Sequence, residues 1–206
     1  LDHLTRLYNL NKQRTGVHLS TLVYCLSRSF FDMKQDVEPT DTEVMLFSLG
    51  LGLQDEFTPD QAVTRAVYEK DGVTFSPVFI VQVTENQYCE MKTTRMSTAR
   101  DFPTTWIEYI KGGCYMMKVN SYDLSVLYMM GNYKPPFPQL RSFRLEFDDA
   151  ELENNWAYLM ARKAVFDEAL KTGIAPTPKK YCGDWECKNC RFKVQCDAIL
   201  SYRGGE

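Results

Sequence analysis

Four cysteines crowd one short segment near the end of the sequence: Cys182, Cys187, Cys190 and Cys196 in YCGDWECKNCRFKVQC. Cys187, Cys190 and Cys196 follow the pattern C-x2-C-x5-C, with Cys182 just upstream. Two thiolates two residues apart can clasp one metal atom or one cluster edge, so this pattern implies a metal site. A fold built from this chain must therefore bring the tail to one fixed point. Four tail thiolates suit a tetrahedral zinc knuckle. A cubane iron-sulfur cluster accepts four thiolates equally well, one of them from far away in sequence. Spacing within the tail leaves both open.

The other three of the seven cysteines are Cys25, Cys89 and Cys114. Residues 1–14 are polar and lack the apolar core of a signal peptide. A cytoplasmic location is therefore expected, where thiols stay reduced and a disulfide framework does not form. Cys89 and Cys114, in apolar or mixed surroundings, are expected to be small core residues.

The 206 residues fit a single domain, 1–206, long enough to bury a core. With 44% hydrophobic and 25% charged residues the composition is that of a globular protein. No apolar run approaches the ~20 residues of a membrane span. A formal net charge of -3 does not point to a nucleic-acid binder by itself.

Apolar residues at helical spacing, Leu19, Leu22, Val23, Leu26 and Phe30, predict a buried helix over 15–31 that carries Cys25, with Ser20 or His18 as cap. Thr40 or Asp41 opens a second helix to Leu53, and a third is expected over 59–69. Gly50 and Gly52 are read as a place of close packing. The stretches VTFSPVFIVQV and QYCEMKTT alternate like antiparallel strands, giving a hairpin over 72–95 that turns at Thr84-Glu85-Asn86. A helix over 104–117, strands at 124–130 (ending at Gly131-Asn132) and 143–147, and a long helix over 150–171 follow. Asp148 or Asp149 caps that last helix and Gly173 closes it. The cysteine-rich tail occupies 176–200. This order implies an α/β fold with a mixed sheet flanked by helices.

The opening VHLSTLVYCLSRSFF and the C-x2-C-x5-C tail resemble the CRISPR-associated Cas-four iron-sulfur exonucleases and related phage and RecB-AddB-type nuclease domains. Those proteins carry one cysteine in the first helix, followed by Arg or Lys, and three near the C-terminus. Cys25 with Arg28, and Cys187, Cys190 and Cys196, match that pattern. The resemblance thus implies a 4Fe-4S cluster on these four cysteines, with Cys182 a spare thiol. It also implies a restriction-endonuclease-like fold of the PD-(D/E)XK superfamily, closed by an iron-sulfur subdomain.

That superfamily hydrolyses phosphodiesters at Mg2+ or Mn2+ held by carboxylates on two hairpin strands, with a lysine orienting water. Glu90-Met91-Lys92 fits the second half of its signature, making Glu90 the metal ligand and, with Lys92, the catalytic pair. The first half departs. Gly72-Val73-Thr74-Phe75-Ser76-Pro77-Val78 puts Val78 where relatives have the metal-binding Asp, and Asp71 and Glu85 are poor replacements. Gln54 stands for the family's metal-binding His, and Trp106-Ile107-Glu108-Tyr109 puts Tyr109 at the Gln of W-x-x-Q. Glu90, the Met91 carbonyl and the Gln54 amide are what remains, so any metal should be held weakly. His18 is expected to cap or pack its helix.

Three functions stay open. One is a DNA-binding pseudo-nuclease with little or no cutting; another is an active DNA exonuclease or endonuclease, a hydrolase using Glu90 and Lys92. The third is a zinc-stapled protein-interaction module. Expected partners are single-stranded DNA or duplex ends, and a protein of replication, recombination or CRISPR adaptation. Arg28, Lys92, Arg95, Arg100 and Lys111 are candidates to meet phosphate, and Trp106, Tyr109 and Tyr115 to stack on bases.

Overall fold

The structure is a computed structural model that describes residues 1–12, 16–35, 37–60, 62, 66–82, 86–94, 101–129, 138–188 and 190–203. Its elements run α1 (Asp2–Lys12), β1 (Val17–His18), α2 (Leu19–Val23), α3 (Leu26–Lys34), α4 (Asp41–Phe57), β2 (Tyr68–Lys70), β3 (Val73–Phe75), β4 (Phe79–Gln82) and β5 (Asn86–Thr94). There follow α5 (Thr104–Met117), β6 (Ser121–Tyr128), β7 (Gln139–Glu146), α6 (Asp149–Thr172), α7 (Asp184–Cys187) and α8 (Lys193–Arg203).

Two sheets form. A small one has the order β1-β3-β2, and a four-stranded one the order β4-β5-β6-β7. In the larger sheet β4 and β5 are antiparallel, β5 and β6 are parallel through the α5 crossover, and β7 returns antiparallel to β6. This is the expected mixed α/β arrangement, though the strands divide between two sheets where one was expected. The predicted strand over 73–83 is split between the sheets, because Pro77 has no N–H to give to a ladder. Ser76-Pro77-Val78 instead links β3 to β4.

The long helix is framed as its sequence implies. Asp148 caps α6 in a reciprocal box with Glu151, and Gly173 ends it at φ 72°. Leu152, Trp156, Leu159, Phe166 and Ala169 form its buried stripe. α5 lies against this helix and against β3 so closely that Gly112 and Gly113 are needed. A Cβ on Gly113 would stand 2.5 Å from Phe75 Cζ, and one on Gly112 2.9 Å from Leu19 Cδ1. Close packing is found here and not at Gly50 and Gly52, where a Cβ meets at most Thr93 Oγ1 at 3.9 Å.

The first predicted helix is two helices. α2 ends and α3 begins at a bend, with Tyr24 extended and Cys25 the residue before α3. Apolar spacing continues through the bend, so periodicity could not reveal it. The predicted helix over 59–69 is not formed: the described residues 59, 60, 62, 66 and 67 are not helical, and Tyr68–Lys70 is strand β2. Its Tyr68 ring packs edge-on against Tyr88, which favours a pleated surface. α1 and α8 add two further helices, α1 meeting α4 through Tyr8 and Phe47 at 5.2 Å. Thr84, Glu85, Gly131 and Asn132 lie outside the described residues. No described helix is long and apolar enough to cross a membrane.

Candidate functional site

Where the two sheets part, a cleft of about 730 Å³ opens between α2, the end of α4, the Ser76-Pro77-Val78 link, β5 and α5. Its walls include His18, Gln54, Asp55, Val78, Glu90 and Tyr109. Sequence-predicted positions from four separate segments thus share one cavity. β4 pairs with β5 so that Phe79 faces Cys89. Continuing that register by one residue brings Val78 level with Glu90.

Glu90 is 2% exposed, an unusual place for a carboxylate. Lys92 Nζ stands 2.6 Å from its Oε1, while Oε2 has no hydrogen-bond partner among the described residues. Burial alone would drag the Lys92 ammonium down. The Glu90 carboxylate, followed by Tyr24, outweighs this and holds it above the usual lysine range. The ammonium also lies 5.0 Å over the Tyr109 ring, whose hydroxyl donates to Ser76 O at 3.4 Å.

Gln54 Nε2 donates to the carbonyl of Met91 at 3.3 Å. An N–H donor therefore sits on the oxygen that could have faced a cation. Glu90 Oε2 is one open carboxylate oxygen, opposite a valine. This donor set falls short of what Mg2+ or Mn2+ requires, and among the described residues no group of three or more His, Cys, Asp or Glu converges at metal-binding distance. His18 is the N-cap residue of α2, where it was expected, without a capping hydrogen bond from its side chain, and it also lines the cleft. Asp55 and Asp60 line it too, two carboxylates the sequence reading did not single out.

On the far side of the α2–α3 bend the tail cysteines gather with Cys25. Cys182 Sγ lies 3.7 Å from Cys187 Sγ and shares a hydrogen bond with the Cys25 thiol. Burial raises Cys25, with Glu186 and Cys190 adding to the rise and hydrogen bonds from the Arg28 backbone and the Cys182 thiol opposing it. Cys196 is pushed up to about 11 by burial, then by Cys25, Cys190 and Cys187. These cysteines lie in one region of the fold, yet among the described residues no three of them form a group that could hold a metal ion. Cys89 and Cys114 stand apart, buried and pushed up to about 11 and about 12 chiefly by desolvation, as core thiols should be.

Side chains from distant segments hold this assembly. Arg162, 6% exposed on α6, donates through Nη2 to Tyr24 O at 2.8 Å and Tyr181 O at 3.0 Å, and through Nε to Leu22 O. It thereby satisfies the carbonyls at the α2 end and ties the tail to the bend. Glu186 takes the Cys25 N–H at 2.8 Å and the Gly183 N–H at 3.1 Å. Arg191 is paired with Asp32 and, at 3.0 Å, with Glu43, while Phe192 packs on Phe31 at 5.4 Å. The sequence did hold one signal for Arg162: it is a charged residue on the apolar stripe of α6.

Other candidates are reassigned. Arg28 pairs with Glu43 at 2.8 Å and Lys111 with Glu151 at 2.8 Å, so neither is an uncommitted cation for phosphate. Arg95 and Arg100 lie outside the described residues. Tyr115 is stacked on Trp156 at 5.0 Å as a core ring, whereas Trp106 lines a second cleft beside the tail. Asp71 accepts from Trp156 Nε1 at 3.0 Å and is not a spare ligand.

No family model and no curated protein matches this sequence. Among solved structures the fold is similar to that of SSO0001, with a TM-score of 0.61 and 14% identity over 96% of this chain and 93% of that one. Weaker likenesses reach two exonucleases. For LHK-Exo, an alkaline exonuclease from Laribacter hongkongensis, the TM-score is 0.43 at 17% identity, covering 77% of this chain and 92% of that one. For a phage-related exonuclease from Haemophilus somnus 129PT the TM-score is 0.49 at 10% identity, covering 79% and 98%. The likeness to SSO0001 concerns the fold: a mixed sheet flanked by helices, consistent with a restriction-endonuclease-like architecture.

Proposed function

We propose that this chain is a DNA-binding protein of the PD-(D/E)XK type, resembling the Cas-four and RecB-AddB-type proteins, whose cutting site has decayed. The observation that carries this reading is the contact from Gln54 Nε2 to Met91 O, beside a buried Glu90 held by Lys92 and faced by Val78. Groups that a nuclease would turn toward a divalent metal are here occupied with one another. What survives is the scaffold: an acid and a lysine on one strand, at the wall of a polar cleft. DNA binding on such a surface would rest on phosphate contacts, which weaken steeply with salt.

Cys25, Cys187, Cys190 and Cys196 would hold a 4Fe-4S cluster, which supplies a cross-link and no step of catalysis in this reading. The convergence of Cys25 with the tail favours it over a zinc knuckle built from the tail alone. Iron and zinc analysis of anaerobically purified protein distinguishes the two.

An active nuclease is the second reading, and it too has an observation in its favour. Glu90 Oε2 is unpartnered in a cleft that also contains Asp55 and His18. The test is cleavage of single-stranded and duplex DNA with Mg2+ or Mn2+. Little or no product is expected from the wild type. Val78→Asp combined with Gln54→His should raise Mn2+ affinity measured by calorimetry. Robust wild-type cleavage abolished by Glu90→Gln would establish the active reading instead.

A further inference from the structure

The second cleft, of about 770 Å³, opens between the start of α5, the middle of α6 and the α7 turn. Two indoles line it, Trp106 of α5 and Trp185 of α7, the latter 59% exposed. Among the described residues neither ring has an aromatic or cationic partner. Tyr158 and Tyr181 line it too, but Arg162 already lies over both rings, 5.5 and 5.8 Å from their centroids. One wall of the cleft is thus built on a guanidinium held against aromatic faces.

The charges in the cleft are unevenly committed. Asp101, Glu108 and Glu186 line it against Arg162 and Lys180, so carboxylates are in excess. Glu186 is engaged through both oxygens, with Cys25 N and Gly183 N. The Glu108 carboxylate is half-buried and has no hydrogen bond or ion pair among the described residues. Burial raises its pKa and the charge of Arg162 opposes this. All three guanidinium nitrogens of Arg162 are engaged elsewhere, with Leu22 O, the Tyr158 hydroxyl, Tyr24 O and Tyr181 O. A phosphate-bearing strand would meet this excess of carboxylates as repulsion. A guanidinium answers it, because it is planar, weakly hydrated, stacks on aromatic faces and gives paired N–H groups to a carboxylate.

We propose that this cleft binds an arginine side chain of a partner protein, its guanidinium set against Trp106 and Trp185 and paired with Glu108. The site is separate from the Glu90–Lys92 cleft and does not depend on the DNA-binding reading. Its test titrates N-acetylarginine amide into the full chain and follows the indole N–H signals of the three tryptophans by NMR. N-Acetylcitrulline amide, an uncharged compound of the same shape, is the comparison. The arginine compound should shift the Trp106 and Trp185 signals and leave that of the buried Trp156 in place, and the citrulline compound should shift none. Glu108→Gln should weaken binding about ten-fold, and Trp185→Ala, on the exposed turn, should weaken it as well. Absence of any shift, equal shifts with both compounds, or full affinity in Glu108→Gln overturns the inference. Stronger shifts of the same two signals by guanosine monophosphate also overturn it and assign the cleft to a nucleotide.

Discussion

Lys92→Met is the perturbation that most directly probes the cleft. It removes the cation from a pair whose side chains are 20% and 3% exposed, and it preserves the apolar stem. At 2.6 Å the gross Coulomb attraction is about 6 kcal/mol for an effective dielectric constant of about 20, and desolvation of both groups offsets much of it. Removing one partner leaves the other charge buried alone, which costs about 3–5 kcal/mol. With a urea m-value of about 2 kcal/mol/M the unfolding midpoint should drop by about 1.5–2.5 M at pH 7. The deficit should depend on pH with a definite sign. In the wild type Lys92 is held above its ordinary value, so its stabilisation is full below the unfolded lysine pKa of 10.5. It is lost only as pH climbs through the folded value. Replacing both residues, as Glu90→Gln with Lys92→Met, should restore much of the loss. A deficit under about 1 kcal/mol in Lys92→Met, or a double variant no better than the single, would refute a buried ion pair at this position.

Gly113→Ala drives a methyl against Phe75 and should lower stability by about 1–3 kcal/mol, while Gly52→Ala, which meets nothing within 4 Å on a helix, should be neutral or stabilising in thermal unfolding. Fluorescence anisotropy with a labelled oligonucleotide should show affinity falling steeply between low and physiological salt, and weakening in Arg95→Ala. Salt-independent binding would point to a protein partner. Glu186→Ala removes the acceptor of the Cys25 N–H and should make the tail more open to limited proteolysis.

Much of this architecture was readable because local signals and tertiary demands agreed. Thr40 and Glu43 form the capping box that opens α4, and Asp148 and Gly173 bound α6. The E-x-K stretch does lie on a strand paired with its hairpin neighbour. The misses share a cause. The break at Tyr24–Cys25 is stabilised by Arg162, 138 residues from Tyr24, and no local pattern encodes that partner. The predicted third helix gave way to β2, which gains its stability by pairing with β3. Gly112 and Gly113 look like weak points of a helix until the rings and leucines packed on them are known. Asp55 on α4 and His18 on β1 meet at the cleft, a juxtaposition that only the fold creates.

The bend at Tyr24–Cys25 is also where the two halves of the functional reading meet. Burial raises the Tyr24 hydroxyl, Lys92 opposes, and Glu90 and Glu186 add to the rise, so this one residue feels both the cleft and the tail. A cross-link from Cys25 to Cys187 would close a loop of about 160 residues, worth about 5 kcal/mol in the chain-entropy picture. Yet Arg162, Glu186, Arg191 and Phe192 already dock the tail through bonds that involve no metal. A cluster is therefore not needed to bring Cys25 to the tail. The contribution of the proposed cluster would fall on the unfolded state and on the rate of opening, so chelation should accelerate unfolding more than it alters the native circular dichroism. The tail is then a clamp on the bend that carries Tyr24 against Lys92. Loss of the clamp should be felt in the cleft as a change in the Glu90–Lys92 pair, readable as an altered pH dependence of stability.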